Sequence, residues 1–171
     1  WAEQLLHEEV RDAVRDSVKT IGFQSVLFFG IFDDSLDFYH EDKNGRPWLS
    51  FTYIDLILDF LVDLNITLQI QLGYTPKLLT KDRQHVFGNS CIGLPDNLEK
   101  WKFLVSGFLE HLVYRYGIDV GFAVEFHTGT APVCTVWCFL LGGLFLLLRN
   151  HLEDIAEAAT GGHVEGTCVR Y

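Results

Sequence analysis

Residues 51–74 read FTYIDLILDFLVDLNITLQIQLGY, and the fold turns on the change of rhythm inside them. Over 51–64 the apolar positions Ile54, Ile57, Phe60, Leu61 and Leu64 recur every three or four residues, the period of a helix with one buried face. Asp55, Asp59 and Asp63 line up opposite, and that row reads as a solvated surface, not a carboxylate site. From residue 66 the stretch ITLQIQLGY alternates and carries β-branched residues, which predicts a strand over 66–74.

The same succession extends to both sides. Toward the N-terminus, residues 2–19 carry Leu5, Leu6, Val10, Ala13, Val14 and Val18 on one face, an amphipathic helix with Gly22 as its stop. QSVLFFGIF, 24–32, is a continuous apolar run and predicts a strand buried on both faces. The Asn44-Gly45 pair between FYHE and PWLS predicts a hairpin with a two-residue turn. Toward the C-terminus, GNSCIGLPDN (88–97) is a loop. Asp96 to Glu99 reads as a capping box, Asp96 accepting backbone N–H bonds and Glu99 reaching back. A helix then runs to Tyr116, with Leu98, Trp101, Leu104, Phe108, Leu112 and Val113 facing inward. VGFAVEF, 120–126, is a third strand. Helix and strand alternate three times, which predicts a parallel sheet covered by helices, closed as a barrel or doubly wound.

Composition narrows the function. The 171 residues suffice for one domain with a core, and 49% of them are apolar, which argues against disorder. A net charge of −10 without a block of lysine and arginine argues against nucleic acid and anionic membrane surfaces. Cys91, Cys134, Cys138 and Cys168 are too few and too irregular for a disulfide framework, and nothing beside Cys134 and Cys138 completes a metal set, so no metal is expected. The chain has no methionine and no signal-peptide pattern. Because it opens inside a helix, a fragment or a processed product is expected, and the compartment stays open. Asn65-Ile66-Thr67 matches a glycosylation sequon but opens a strand and carries little weight. The serine-nucleophile, phosphate-loop and dinucleotide motifs are missing, and no cofactor is expected.

One stretch resists the pattern. Thr128 to Leu148 is a run of 21 residues without a charge, long enough for a membrane span. Pro132 and Gly142-Gly143 interrupt it and its flanks give no basic bias, so the preferred reading is a buried strand or loop leading into an apolar helix. A membrane anchor through 128–148 is the weaker alternative.

Taken together, GIFDDSLDFYHEDKNGRP (30–47), FTYIDLILDFLVDLNITLQIQLGYTPKLL (51–79), EKWKFLVSGFLEHLVYRYG (99–117) and VEF (124–126) resemble, in order and spacing, the catalytic barrel of glycoside hydrolase family 39, the β-xylosidases and α-L-iduronidases. The resemblance covers roughly residues 1–130. It implies an α/β fold in which residues 1–171 form a single, incomplete (β/α) TIM-type barrel, roughly its first half, lacking the first strand. It also implies hydrolysis of O-glycosidic bonds in xylosides or uronides by a retaining mechanism, which needs two carboxylates about 5–5.5 Å apart.

The family register puts those chemical positions in doubt. The acid/base falls on Gly129, the asparagine before it on Thr128, and an earlier glutamate on Glu125. The family's Arg-x-His-Gly reads Leu27-Phe28-Phe29-Gly30, its third-strand glutamate reads Gln71, and its nucleophile comes from a later strand. Glu125 is the one candidate for a substitute acid, although a structural carboxylate hydrogen-bonded inside the fold is the preferred reading. His127, where the family has tryptophan, could bind sugar hydroxyls or be an ordinary loop histidine. Asp33 and Asp34 match an acidic pair and are read as capping or turn residues, with Asp33 a candidate for sugar contact. Gln71 and Tyr74 would line the same mouth, Tyr74 stacking on a sugar or packing in the core. Two functions are therefore carried forward. One is a family 39-like glycosidase domain that is inactive as this chain. The other is a non-catalytic fragment that binds carbohydrate or packs against another copy or a missing half-barrel.

Overall fold

The computed structural model describes residues 1–82, 91, 93–117 and the backbone of 122–126 and 138–139. The expected N-terminal helix is split. Ala2–Leu6 forms a tight 3-10 turn, His7 is extended, and α1 begins at Glu8 and runs to Ile21. The break has a local cause. The Leu5 carbonyl, which a continuous helix would bond to a backbone N–H four residues on, instead accepts Arg11 Nε at 2.6 Å. Gly22 closes α1 in the left-handed region, φ 74°, and donates to the Val18 carbonyl, as its position predicts.

Strand β1, Ser25–Phe29, follows and is shorter than the apolar run that contains it. Phe28 is buried against the helices, but Leu27 on the other face is 50% exposed, so the strand is not buried on both faces. The run looked doubly buried because Ile31 and Phe32 extend it, and these two are buried in the turn beyond the strand. After a short 3-10 turn, β2 (Tyr39–Glu41) pairs antiparallel with β3 (Pro47–Leu49). The hairpin loop is longer than a two-residue turn. Asp42 N donates to the Arg46 carbonyl, Gly45 N returns to the Asp42 carbonyl, and Gly45 takes φ 73°. That is a three-residue loop whose last residue must be left-handed. The Asp42 carboxylate stabilises it by accepting from the N–H groups of Asn44 and Arg46.

Helix α2, Thr52–Asp63, buries Ile54, Ile57, Leu58, Phe60 and Leu61. Asn65, exposed and left-handed at φ 53°, turns the chain into β4, Thr67–Leu72. Helix α3 spans Leu98–Tyr116. Its cap lies one residue later than the predicted box: Asn97 accepts from Lys100 N, while the Asp96 carboxylate accepts from Lys81 N at 2.6 Å and ties the preceding loop down. The hairpin lies against α3, where Lys100 Nζ donates to Glu41 Oε2 at 2.7 Å and Tyr39 donates its hydroxyl to Glu41 Oε1.

The acidic row of α2 is a correction as well. Asp63 is exposed, but Asp55 and Asp59 reach α3. Asp55 pairs with His111 at 2.6 Å, and Asp59 holds Arg115 through two bonds while accepting the Tyr116 hydroxyl at 2.8 Å. The bonds from Arg115 keep the Asp59 carboxyl below its ordinary range, and burial first, then its bond to Asp59, pushes the Tyr116 phenol up. Beneath this seam the helices meet an aromatic centre: Phe32 stacks on Phe38 at 5.5 Å and meets Phe108 and Trp101 edge-on.

Strand β5, Phe122–Phe126, completes three parallel strands in the order β1-β4-β5, as the alternation predicts. A further short strand, β6, Cys138–Phe139, pairs antiparallel with β5. It falls within the uncharged run, so that run is not one continuous membrane helix. The remainder of 128–148 lies outside the described residues, among which no helix is long and apolar enough to cross a membrane. Among the described residues β1 and β6 are the two edges of the sheet.

Candidate functional site

Parallel strands gather their C-terminal ends on one side, and the loops that leave them define a mouth. The register aligns Phe29, Gln71 and Glu125 in one row across β1, β4 and β5 near that end. Side chains alternate along β4: Leu68, Ile70 and Leu72 are buried against the helices, while Gln69 and Gln71 are only half-buried on the opposite face. Phe29 and Leu27 share that opposite face, since partners in a parallel register point the same way.

Above the row, Gly30 has φ 82°, a conformation that costs any other residue. Its missing side chain has a second consequence. A Cβ there would lie 3.2 Å from Trp1 Cε3, so the indole sits directly over the Gly30 backbone. Trp1 meets Phe29 edge-on at 4.6 Å and stacks on Tyr74 at 5.5 Å. Tyr74 follows Gly73 through a cis peptide bond. Burial, and then the negative charge of Asp33, push the Tyr74 phenol upward, which places Asp33 and Tyr74 in one electrostatic neighbourhood.

The acidic pair builds turns, as its sequence predicts. Asp33 is 8% exposed, and its carboxylate accepts from Ser35 N, capping the short 3-10 turn Asp34–Leu36. Asp34 accepts from Lys77 N, joining the loop after β1 to the loop after β4. Asp33, Gln71 and Tyr74 therefore lie toward one end of the sheet. Glu125 is placed there by its backbone alone. Its side chain, and all of His127, Thr128 and Gly129, lie outside the described residues. Trp1 was not anticipated; a lone aromatic before an amphipathic helix carries no periodic signal, and its partners are 28 to 73 positions away in sequence.

Among the described residues no group of three histidine, cysteine or acidic side chains could hold a metal. Cys91 is buried and donates its thiol to the Asp82 carbonyl at 2.9 Å; the side chains of Cys134, Cys138 and Cys168 lie outside the described residues.

A family model for glycosyl hydrolases family 39 matches residues 2–133. A β-xylosidase of Geobacillus stearothermophilus is 34% identical over 120 residues, which cover 67% of this chain and 23% of that protein. A β-xylosidase of Caldicellulosiruptor saccharolyticus is 30% identical over 119 residues, covering 68% of this chain and 24% of that protein. The chain thus spans 23% and 24% of the length of these curated relatives. Among solved structures, a GH39 β-xylosidase from Caulobacter crescentus superposes with a TM-score of 0.70 at 24% identity, covering 94% of this chain and 36% of that one. A GH39 enzyme from Xanthomonas axonopodis pv. citri gives 0.66 at 23% identity, covering 73% of this chain and 25% of that one. At such identity the superpositions speak for the fold alone.

Proposed function

The chain belongs to glycosyl hydrolases family 39, and from that membership we propose that it carries part of a (β/α)-barrel framework built around xylosides or uronides, without catalytic power of its own. The observation that carries this reading is the row Phe29–Gln71–Glu125 with Asp33 and Tyr74 at the C-terminal ends of parallel strands. In a barrel those ends form the substrate face. A retaining glycosidase needs an acid/base and a nucleophile about 5–5.5 Å apart. By the family register the acid/base position is Gly129, and the nucleophile comes from a later strand than those of residues 2–133, the part that the family model matches.

The test is incubation of the purified chain with an aryl β-xyloside and an aryl α-L-iduronide. We expect no aglycone release above buffer. Turnover that survives repurification and disappears in Glu125→Gln would instead make Glu125 a working acid and overturn the non-catalytic reading.

A second reading, an interaction fragment, is favoured by exposed Leu27 beside the free edge of β1. Static light scattering separates the two: a monomer across a wide concentration range argues against self-association through that edge.

A further inference from the structure

We propose that Asn65 is an acceptor for N-linked glycosylation, presented to a transferase by the turn between α2 and β4. This inference is independent of the carbohydrate reading above. As a pattern, the sequon Asn65-Ile66-Thr67 carries little weight because it opens a strand. The structure places the asparagine before that strand, which begins at Thr67. Asn65 occupies the turn itself, at φ 53°, a left-handed conformation that asparagine tolerates better than most residues. Its neighbours fix the turn: Asn65 N donates to the Val62 carbonyl at 2.8 Å, and Thr67 N donates to the Gln24 carbonyl at 2.8 Å.

Around the turn, burial alternates in a way that suits recognition. Asp63, Asn65 and Thr67 are exposed, whereas Leu64 is half-buried and Ile66 is 7% exposed. The asparagine and the hydroxyl residue that define an acceptor therefore face solvent, and the residue between them, whose identity matters little, serves the core. Among the described residues the side chains of Asp63, Asn65 and Thr67 make no hydrogen bond or ion pair. Asp63 is moreover the last residue of α2, where the helix dipole disfavours a carboxylate and no basic residue accompanies it. The fold gives it no reason to be acidic, yet it offers a transferase with a cationic pocket an ion pair beside the acceptor. The turn precedes β4, so a glycan on it would leave from the end of the sheet opposite the mouth.

In the transfer step Asn65 Nδ2 attacks the anomeric carbon of a sugar carried on a polyprenyl diphosphate. A C–N bond forms, the C–O bond to the diphosphate breaks and its electron pair leaves with the diphosphate, and the amide gives one proton to a base of the transferase.

The test incubates the purified full chain with a single-subunit oligosaccharyltransferase that bears a cationic pocket and a polyprenyl-diphosphate oligosaccharide. A synthetic peptide of residues 61–69 is treated in parallel, and both are followed by peptide mass spectrometry. Both should carry the glycan at Asn65. Asn65→Gln and Thr67→Ala should lose it, Thr67→Ser should keep it, and Asp63→Asn should slow transfer about tenfold. A modified peptide beside an unmodified full chain overturns the proposal, because the turn then fails to present the asparagine. An unmodified peptide overturns it as well, because the sequon itself is then no acceptor. Equal rates for Asp63→Asn and the parent would overturn the part given to Asp63. Should a variant fail to fold, the site-resolved spectrum of the unaltered chain decides alone.

Discussion

At the scale of single residues, the positions that matter most are those whose backbone admits one kind of side chain. Gly30 must be left-handed and must leave room for Trp1. Gly30→Ala is therefore expected to lose about 1–2 kcal/mol in urea titration, from the backbone term with some repacking of the indole. An unchanged midpoint would mean that the turn yields without strain. Phe32 sits at the other extreme, 1% exposed and packed on Phe38, Phe108 and Trp101. Truncation to alanine leaves a large cavity beside α3, and a loss of about 3–5 kcal/mol is expected. The two residues differ in how far sequence reveals them. Phe32 announces itself as apolar, although its run suggested a strand and the structure puts it in a turn. The conformational demand at Gly30 is invisible until Trp1, 29 positions earlier, is seen lying on it.

At the scale of elements, the seam between α2 and α3 decides how the helical layer responds to pH. Asp59 is bonded by Arg115 and Tyr116, and those bonds lower its carboxyl in the folded state. A carboxyl lowered on folding contributes stability that is fully present above its unfolded value, about 3.9, and is lost as pH falls through the folded value. Asp59→Asn should therefore be less stable than the parent chain at pH 7. The gap between them should narrow as pH drops below about 4, a trend that urea titrations at pH 7 and pH 3 can read. A gap of constant size would assign the loss to geometry and not to charge. Helix and strand identities were legible because periods of about 3.6 and 2 survive in single sequences. The partner of a helix face is not written in its period, which is why Asp55 and Asp59 looked solvated. The hairpin and the α3 cap slipped for a related reason: Asp42 and Asp96 each spend a carboxylate on backbone N–H groups, and sequence does not say which ones.

At the scale of the whole molecule, framework and chemistry separate. Apolar periodicity located the strands of a parallel sheet, and the family resemblance singled out Asp33, Gln71, Tyr74 and Glu125 at or beyond their C-terminal ends, Glu125 by its backbone. Trp1 joined them only through tertiary packing. What a framework of this kind needs for turnover is a pair of carboxylates, and the two requirements can be tested apart. Gly129→Glu places a carboxylate at the position that the family register gives to the acid/base. If a second carboxylate were held about 5–5.5 Å away, that single change would be enough to start hydrolysis of an aryl β-xyloside. If the second group is missing, the added acid can protonate a leaving group but nothing stabilises the developing oxocarbenium ion or forms the glycosyl intermediate. The rate should then stay at the buffer baseline, whatever the affinity for the glycoside. Release of aglycone by Gly129→Glu would show that this chain supplies its own nucleophile, and the non-catalytic reading would have to be given up.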